Sequence, residues 1–271
     1  MQIPEVDREG SLNYRAAFAM QGRVLRALLL REASLRLGPH RFGHLLVLTE
    51  MIWGTTLLGI IQYLLEHAPP YGKSAIFYIF TGMFPFTLYR NVHARVAAAV
   101  EANRALFSYP AIRPLDTMLA RAGLESAFQV TAFLIFYGAF IWFDLTGFPA
   151  RPVELLLAVF ATILLGFAMG VTGMILRSLW KVWETVDGMI TRVLFFASGI
   201  FYQVEFLPPQ IREILVWNPL VHAIEWVRYC VYPEYFTQIL DREYLLGWGL
   251  AGSVFGLGME RLIRGRLLEG R

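Results

Sequence analysis

The chain has 271 residues, 56% hydrophobic and 15% aromatic, with only 17% charged and a net charge of +3; its mean hydropathy is +0.50. A soluble domain carries most of its charge on its surface and runs nearer a quarter charged, so the apolar excess here must face lipid. That excludes a disordered chain and an ordinary soluble enzyme, gives no argument for nucleic acid, and leaves Cys230, the one cysteine, unable to form an internal disulfide or a multi-cysteine zinc site.

In chain order, residues 1–44 form an arginine-rich head. Between Leu12 and Leu37 the period is helical: Arg15, Arg23 and Arg26 share one face, with Met20, Val24, Leu28 and Leu35 opposite. This predicts an amphipathic helix at the cytoplasmic interface, apolar face in the lipid boundary, ended by Gly38-Pro39. No apolar stretch follows the charged start closely enough for a cleaved signal peptide. Six apolar runs then suit membrane spans: Leu45–Leu65, Ser74–Tyr89 extending toward Val100, Ala122–Phe143, Val153–Leu176, Val186–Tyr202 and Tyr244–Ile263. Residues 205–232 are apolar but carry Pro208, Pro209 and Pro219, which predicts short re-entrant or interfacial helices. The expected fold is therefore all-α and integral to the membrane: one six-span domain over 45–263, with a cytoplasmic tail over 264–271.

Lysine and arginine set the orientation. Only Lys73, Arg151, Arg212, Arg228 and Arg242 fall on the far side; the remainder of the 24 lie with the head, the tail and the two intervening connections. This places both termini in the cytoplasm. Gly166-x-x-x-Gly170 and Gly252-x-x-x-Gly256 allow close helix approach, within one subunit or between two. Gly72-Lys73-Ser74 resembles the end of a phosphate-binding loop, but His67 replaces the first glycine and Pro69 and Pro70 sit inside. Any ATP used must be bound by another chain.

Three segments carry the functional reading. Phe107, Ser108, Tyr109, Pro110, Arg113, Pro114, Leu115 and Asp116 form a proline-stiffened knuckle within the connection over about 101–117, fit to pass a push from a cytosolic partner into two helices. The bland alternative is a rigid turn. Next, Phe80 to Arg90 holds Pro85 in mid-span with Phe84, Phe86 and Tyr89 around it, rings that suit sugar stacking and lipid packing equally. Finally, Tyr202, Trp217, Asn218, Pro219, His222, Glu225 and Arg228 mark the broken stretch before the last span. On a helix after Pro219, His222, Glu225 and Arg228 share a side, so Glu225 can pair with Arg228 or His222, as in a water-lined gate. One histidine and one glutamate make half a metal site at most. No paired carboxylates or nucleophile-base arrangement supports covalent chemistry.

Together, "SYPAIRPLD", "FTGMFPFTLY" and "NPLVHAIEWVRY" resemble the permease subunits of ABC-2 type exporters, and among these the capsular polysaccharide exporters of Gram-negative bacteria. The resemblance covers nearly the whole chain. It implies a homodimer in the inner membrane paired with two copies of a separate ATPase, which holds ATP and magnesium; no cofactor belongs to this chain. The knuckle would be the coupling helix and residues 205–232 the helices capping the periplasmic mouth. The cargo would be a lipid-linked acidic polysaccharide, handed to a periplasmic adaptor and an outer-membrane channel. Arg15, Arg23, Arg26, Arg90 and Arg95 are positioned to attract anionic cargo, and Phe84, Phe86, Tyr89 and Trp142 to stack on sugars. The rivals are a permease for O-antigen, teichoic acid, a drug or haem, and an intramembrane enzyme acting on lipid-linked sugars.

Overall fold

The computed structural model describes residues 14–37, 53–61, 64, 69–109 and 111–269, with side chains from 19 to 36 in the first stretch and up to 265 in the last. The Gly38-Pro39 turn, most of the first predicted span, Pro110 and the Arg15 side chain lie outside the described residues. No strand occurs among those described. The helices are α1 (Tyr14–Leu37), α2 (53–61), α3 (Ala75–Ala97), α4 (Ala99–Ala102), α5 (Pro114–Trp142), α6 (Pro152–Leu179), α7 (Trp183–Ala197), α8 (Pro209–Leu215), α9 (Pro219–Val231) and α10 (Arg242–Glu269). Single 3₁₀ turns at Arg104–Ser108 and Val204–Phe206 join them.

Within the described helices, proline acts mainly as an opener. Pro114, Pro152, Pro209 and Pro219 each occupy the first turn of a helix, where the missing N–H costs nothing and the fixed φ is already helical. Pro85 is the exception, and α3 continues through it for 23 residues. The Gly-Lys-Ser sequence serves α3 as turn and cap. Gly72 adopts φ +76 with the Tyr232 ring 2.8 Å from where a Cβ would stand, and Ser74 Oγ accepts the Phe77 N–H at 3.3 Å.

The bundle is built around α6, with α3 on one side and α10 on the other. A Cβ on Gly170 would lie 2.6 Å from Val96 Cβ, and one on Gly166 3.0 Å from the Tyr89 carbonyl. On the other side, Gly252 meets Ala168 and Gly256 meets Val171, at 3.0 and 2.9 Å. Both small-residue motifs are thus spent inside the chain. α5 adds an aromatic seam to α3, with Phe133 stacked on Phe84 at 4.0 Å and on Phe80 at 5.4 Å.

α5 and α6, of 29 and 28 residues, are long and apolar enough to cross a membrane, about 40 Å each at 1.5 Å per residue. Their outer faces leave Leu134, Ile135, Leu156, Leu157 and Phe160 exposed. α7 differs from the expected Val186–Tyr202: it begins at Trp183 and stops at Ala197, because Gly199 turns the chain at φ +78.

α1 lies along α5, and Arg23 and Arg26 point outward, as the period requires. The face turned inward is not purely apolar: Gln21, Glu32 and Arg36 accompany Leu28, and each meets a polar partner on α5. The helix is held by hydrogen bonds as well as by apolar contact.

Candidate functional site

The sequence-predicted residues fall at both ends of the bundle. At the basic end, where α3 finishes and α5 starts, the knuckle is a 3₁₀ turn followed by extended chain at Tyr109. Ser108 Oγ donates to the Ala105 carbonyl at 2.9 Å. Phe107 and Leu115 pack half-buried against the core, while Tyr109 stands 57% exposed. Asp116 is buried in the first turn of α5, its Oδ2 accepting the Arg113 N–H at 2.9 Å. An anion there is favoured by the free N–H groups of the helix start. Gln21 of α1 donates to its other oxygen, so α1 and the knuckle share one carboxylate.

Around it lies a network that sequence reasoning missed. Buried Glu125 accepts from Arg36 of α1 and from Gln129, and lies 3.3 Å from Arg95 of α3. Glu32 accepts from Arg121 at 2.7 Å and from Asn103 at 3.2 Å; Arg121 also donates to the Ala98 carbonyl, and Arg31 to Asn103. Burial raises the Glu32 carboxyl, but the hydrogen bond and charge of Arg121, with Asn103 and Arg31, outweigh it and hold the group below the ordinary carboxylate range. A second missed cluster joins α3, α6 and α7. His93 Nε2 lies 2.9 and 3.0 Å from the Asp187 oxygens, and Arg177 donates to the same carboxylate at 3.3 Å. Asp187 is the one buried residue of α7. The pairs Asn103–Glu32, Arg36–Glu125, His93–Asp187 and Gln21–Asp116 join residues 71 to 95 positions apart, beyond any local pattern.

The residues expected along a cargo path are not brought together. Phe84, Phe86 and Tyr89 are buried, against Phe133, Phe195 and His93. Arg90 sits over the Phe86 ring at 5.8 Å. Arg95 is half exposed at the basic end, and Trp142, 85% exposed, closes α5 at the opposite end.

At that opposite end, Asn218 caps α9: its Oδ1 accepts the Leu220 N–H at 3.0 Å, and its Nδ2 donates to Ala197 O and Ser198 Oγ. Tyr202 donates to the Phe196 carbonyl at 2.8 Å. His222 donates from Nε2 to Val216 O at 2.8 Å and accepts the Asp241 N–H at Nδ1 at 3.0 Å. Both its ring nitrogens are therefore engaged by backbone. The expected pairing of Glu225 with Arg228 or His222 is replaced by other partners. Glu225 Oε2 accepts from Tyr235 at 2.9 Å. Arg228, fully buried, donates to Gly199 O at 2.8 Å, Ile200 O at 2.7 Å and Tyr202 O at 3.3 Å, with its guanidinium 4.0 Å from the Tyr78 ring centre. The turn after α7 presents three carbonyls at once, and the guanidinium has donors enough to serve all three. Gly82 makes room, since a Cβ there would stand 2.8 Å from Arg228 Nη2.

Among the described residues, α5 and α6 are long and apolar enough to cross a membrane. Residues 24–232 match the family described as ABC-2 type transporter. The polysialic acid transport protein KpsM of Escherichia coli is 31% identical over 252 residues, 91% of this chain and 96% of that protein. The capsule polysaccharide export inner-membrane proteins BexB of Haemophilus influenzae and CtrC of Neisseria meningitidis are 26% and 27% identical. Those matches cover 92% and 90% of this chain, and 94% and 92% of the relatives. The chain belongs to the ABC-2 type transporter family. It is the transmembrane subunit of an ABC exporter, not an enzyme, and ATP hydrolysis belongs to a separate subunit.

Proposed function

We propose that this permease carries lipid-linked capsular polysaccharide across the bacterial inner membrane, as a homodimer paired with two ATPase subunits that hold ATP and magnesium. The observation that carries the reading is a likeness running over nine-tenths of the chain to proteins named for polysialic acid transport and capsule polysaccharide export. The lysine and arginine asymmetry supports a six-span arrangement with both termini and the basic end in the cytoplasm. Arg23 and Arg26, exposed on α1, then face anionic headgroups and acidic cargo. On the far side the cargo passes to a periplasmic adaptor and an outer-membrane channel.

Tyr109 and the turn before it are the coupling contact. An aromatic left more than half exposed on a stiff knuckle fits a groove on an ATPase. Because Asp116 ties the knuckle to both α5 and α1, a push there moves both helices together. The test is ATP hydrolysis by the permease–ATPase complex in lipid nanodiscs, with and without capsule glycolipid. Wild type should show glycolipid-stimulated hydrolysis. Tyr109→Ala should fold and assemble normally but lose most of the stimulation and of export in cells. Normal export by Tyr109→Ala overturns the coupling assignment, and a wild-type complex that ignores glycolipid overturns the cargo.

A further inference from the structure

The rings that the sequence offers for sugar contact on α3 are buried, whereas Trp217 is 77% exposed. It stands on the wall of a cleft of about 1090 Å³ at the opposite end of the bundle. One wall is α8 with the turn after it; the other is the segment 237–243 leading into α10. Three residues tie the walls together. His222 reaches Val216 on one side and Asp241 on the other, at 2.8 and 3.0 Å. Glu205 accepts the Gln238 N–H at 3.1 Å and lies 3.8 Å from Arg212. Tyr244 donates to the Trp217 carbonyl at 2.7 Å. The cleft is therefore fixed by its base rather than shaped by a loose loop, and the backbone beneath the indole is pinned on both sides by Tyr244 and the Asn218 cap.

The chemistry of the lining selects the ligand. Arg212 and Arg242 are engaged, with Glu205 at 3.8 Å and Glu154 at 2.9 Å. Glu213, Gln238 and Glu243 are exposed along the cleft and offer acceptors and an amide for hydroxyl groups. An open indole face accepts the C–H face of a pyranose, whose edge hydroxyls then meet the polar fringe. The two glutamates repel carboxylated sugars. We propose that this cleft binds a short run of uncharged pyranose rings, stacked on Trp217 and hydrogen-bonded through their hydroxyls to Glu213, Gln238 and Glu243. The inference rests on the export reading, in which the rings belong to the glycan as it leaves; the uncharged sugars of the chain dwell here and the acidic ones pass on.

The test is saturation-transfer NMR on the permease–ATPase complex in nanodiscs, with maltohexaose as the neutral probe and a sialic acid hexamer as the acidic one. Wild type should saturate the maltohexaose ring protons and not those of the sialic acid hexamer. Trp217→Ala should weaken maltohexaose binding roughly tenfold, the scale of one lost aromatic contact, and Trp217→Phe should keep most of it. Glu213→Gln with Glu243→Gln should let the acidic hexamer bind. A maltohexaose signal that is absent from wild type, or unchanged in Trp217→Ala, overturns the proposal, as does an acidic hexamer that binds wild type more tightly. Glycolipid-stimulated hydrolysis by the same complex separates the two readings. Stimulation without saccharide binding overturns the cleft alone; saccharide binding without stimulation upholds the cleft and overturns the cargo.

Discussion

The arginine cluster at the basic end and buried Arg228 at the other are held in opposite ways. At the basic end, arginines meet carboxylates on other helices: Arg36 and Arg95 share Glu125, and Arg121 meets Glu32. At the opposite end, Arg228 is sealed among the carbonyls of Gly199, Ile200 and Tyr202 and the Tyr78 ring. A carboxylate shared by two arginines tolerates sliding helices, because one partner can tighten as the other loosens. A guanidinium wedged among carbonyls cannot leave without orphaning them and exposing its own charge to an apolar interior. The first arrangement is adjustable and the second is a fixed brace.

Arg228→Met attacks the brace directly and should have the largest effect. It strips three carbonyls, two of them in buried hydrogen bonds, of their donor, and we expect a loss of about 3 kcal/mol or more. The reading is the thermal unfolding midpoint of the detergent-purified permease. Arg228→Lys, which keeps the charge but not the fork, should fall between. A midpoint unchanged in Arg228→Met would show that the turn after α7 holds itself.

Gly82→Ala strikes the same brace from α3. Its Cβ would stand 2.8 Å from Arg228 Nη2 and 3.0 Å from the Ile200 carbonyl. One or both must shift, at a cost of about 1–3 kcal/mol. Hydrogen exchange should then rise in residues 198–202 and leave α1 unchanged; exchange rising at both ends would merge two regions that we treat as separate.

How far these arrangements could be read from sequence follows from the range of the interaction. α5 and α6 were legible because each is one long apolar run, and length and hydropathy are local properties; the start of α5 was not, since it opens at Pro114, inside the expected knuckle, rather than at Ala122. The Asn218-Pro219 start of α9 was legible, since cap and first turn are neighbours. Partners were not. Glu225 and Arg228 are ideally spaced on one helix, yet Arg228 goes to a turn 26 to 29 residues away. Phe84 and Phe86 looked equally suited to sugar and to lipid, and only the approach of α5 and α7 places them in the core. Trp217 carried no more signal in the sequence than they did; its exposure depends on how α8 packs.

Glu125→Gln turns to the adjustable end. It removes the charge shared by Arg36 and Arg95 while keeping the shape, and we expect about 1–2 kcal/mol of destabilisation. Protection of α1 from exchange should fall while the α3–α6 seam stays protected. Equal loss in both would make Glu125 part of a single rigid core and erase the contrast between the ends.

The smallest effect is also the one that tests adjustability under otherwise native conditions. Glu32 lies below the ordinary carboxylate range because Arg121, Asn103 and Arg31 together overcome its burial. A group whose folded pKa is depressed adds stability above its unfolded value and gives it up as pH falls through the folded value. Acidification from neutral to below the usual carboxylate range should therefore loosen α1 first, by less than about 1 kcal/mol for this one partly solvated pair. Limited proteolysis within α1 should accelerate with acid in wild type. Glu32→Gln should be looser at neutral pH and should lose that part of the acid response. Arg228, whose hydrogen-bond partners among the described residues are carbonyls, should keep residues 198–202 protected over the same range. An acid response confined to residues 198–202 would reverse the assignment of brace and adjustable end.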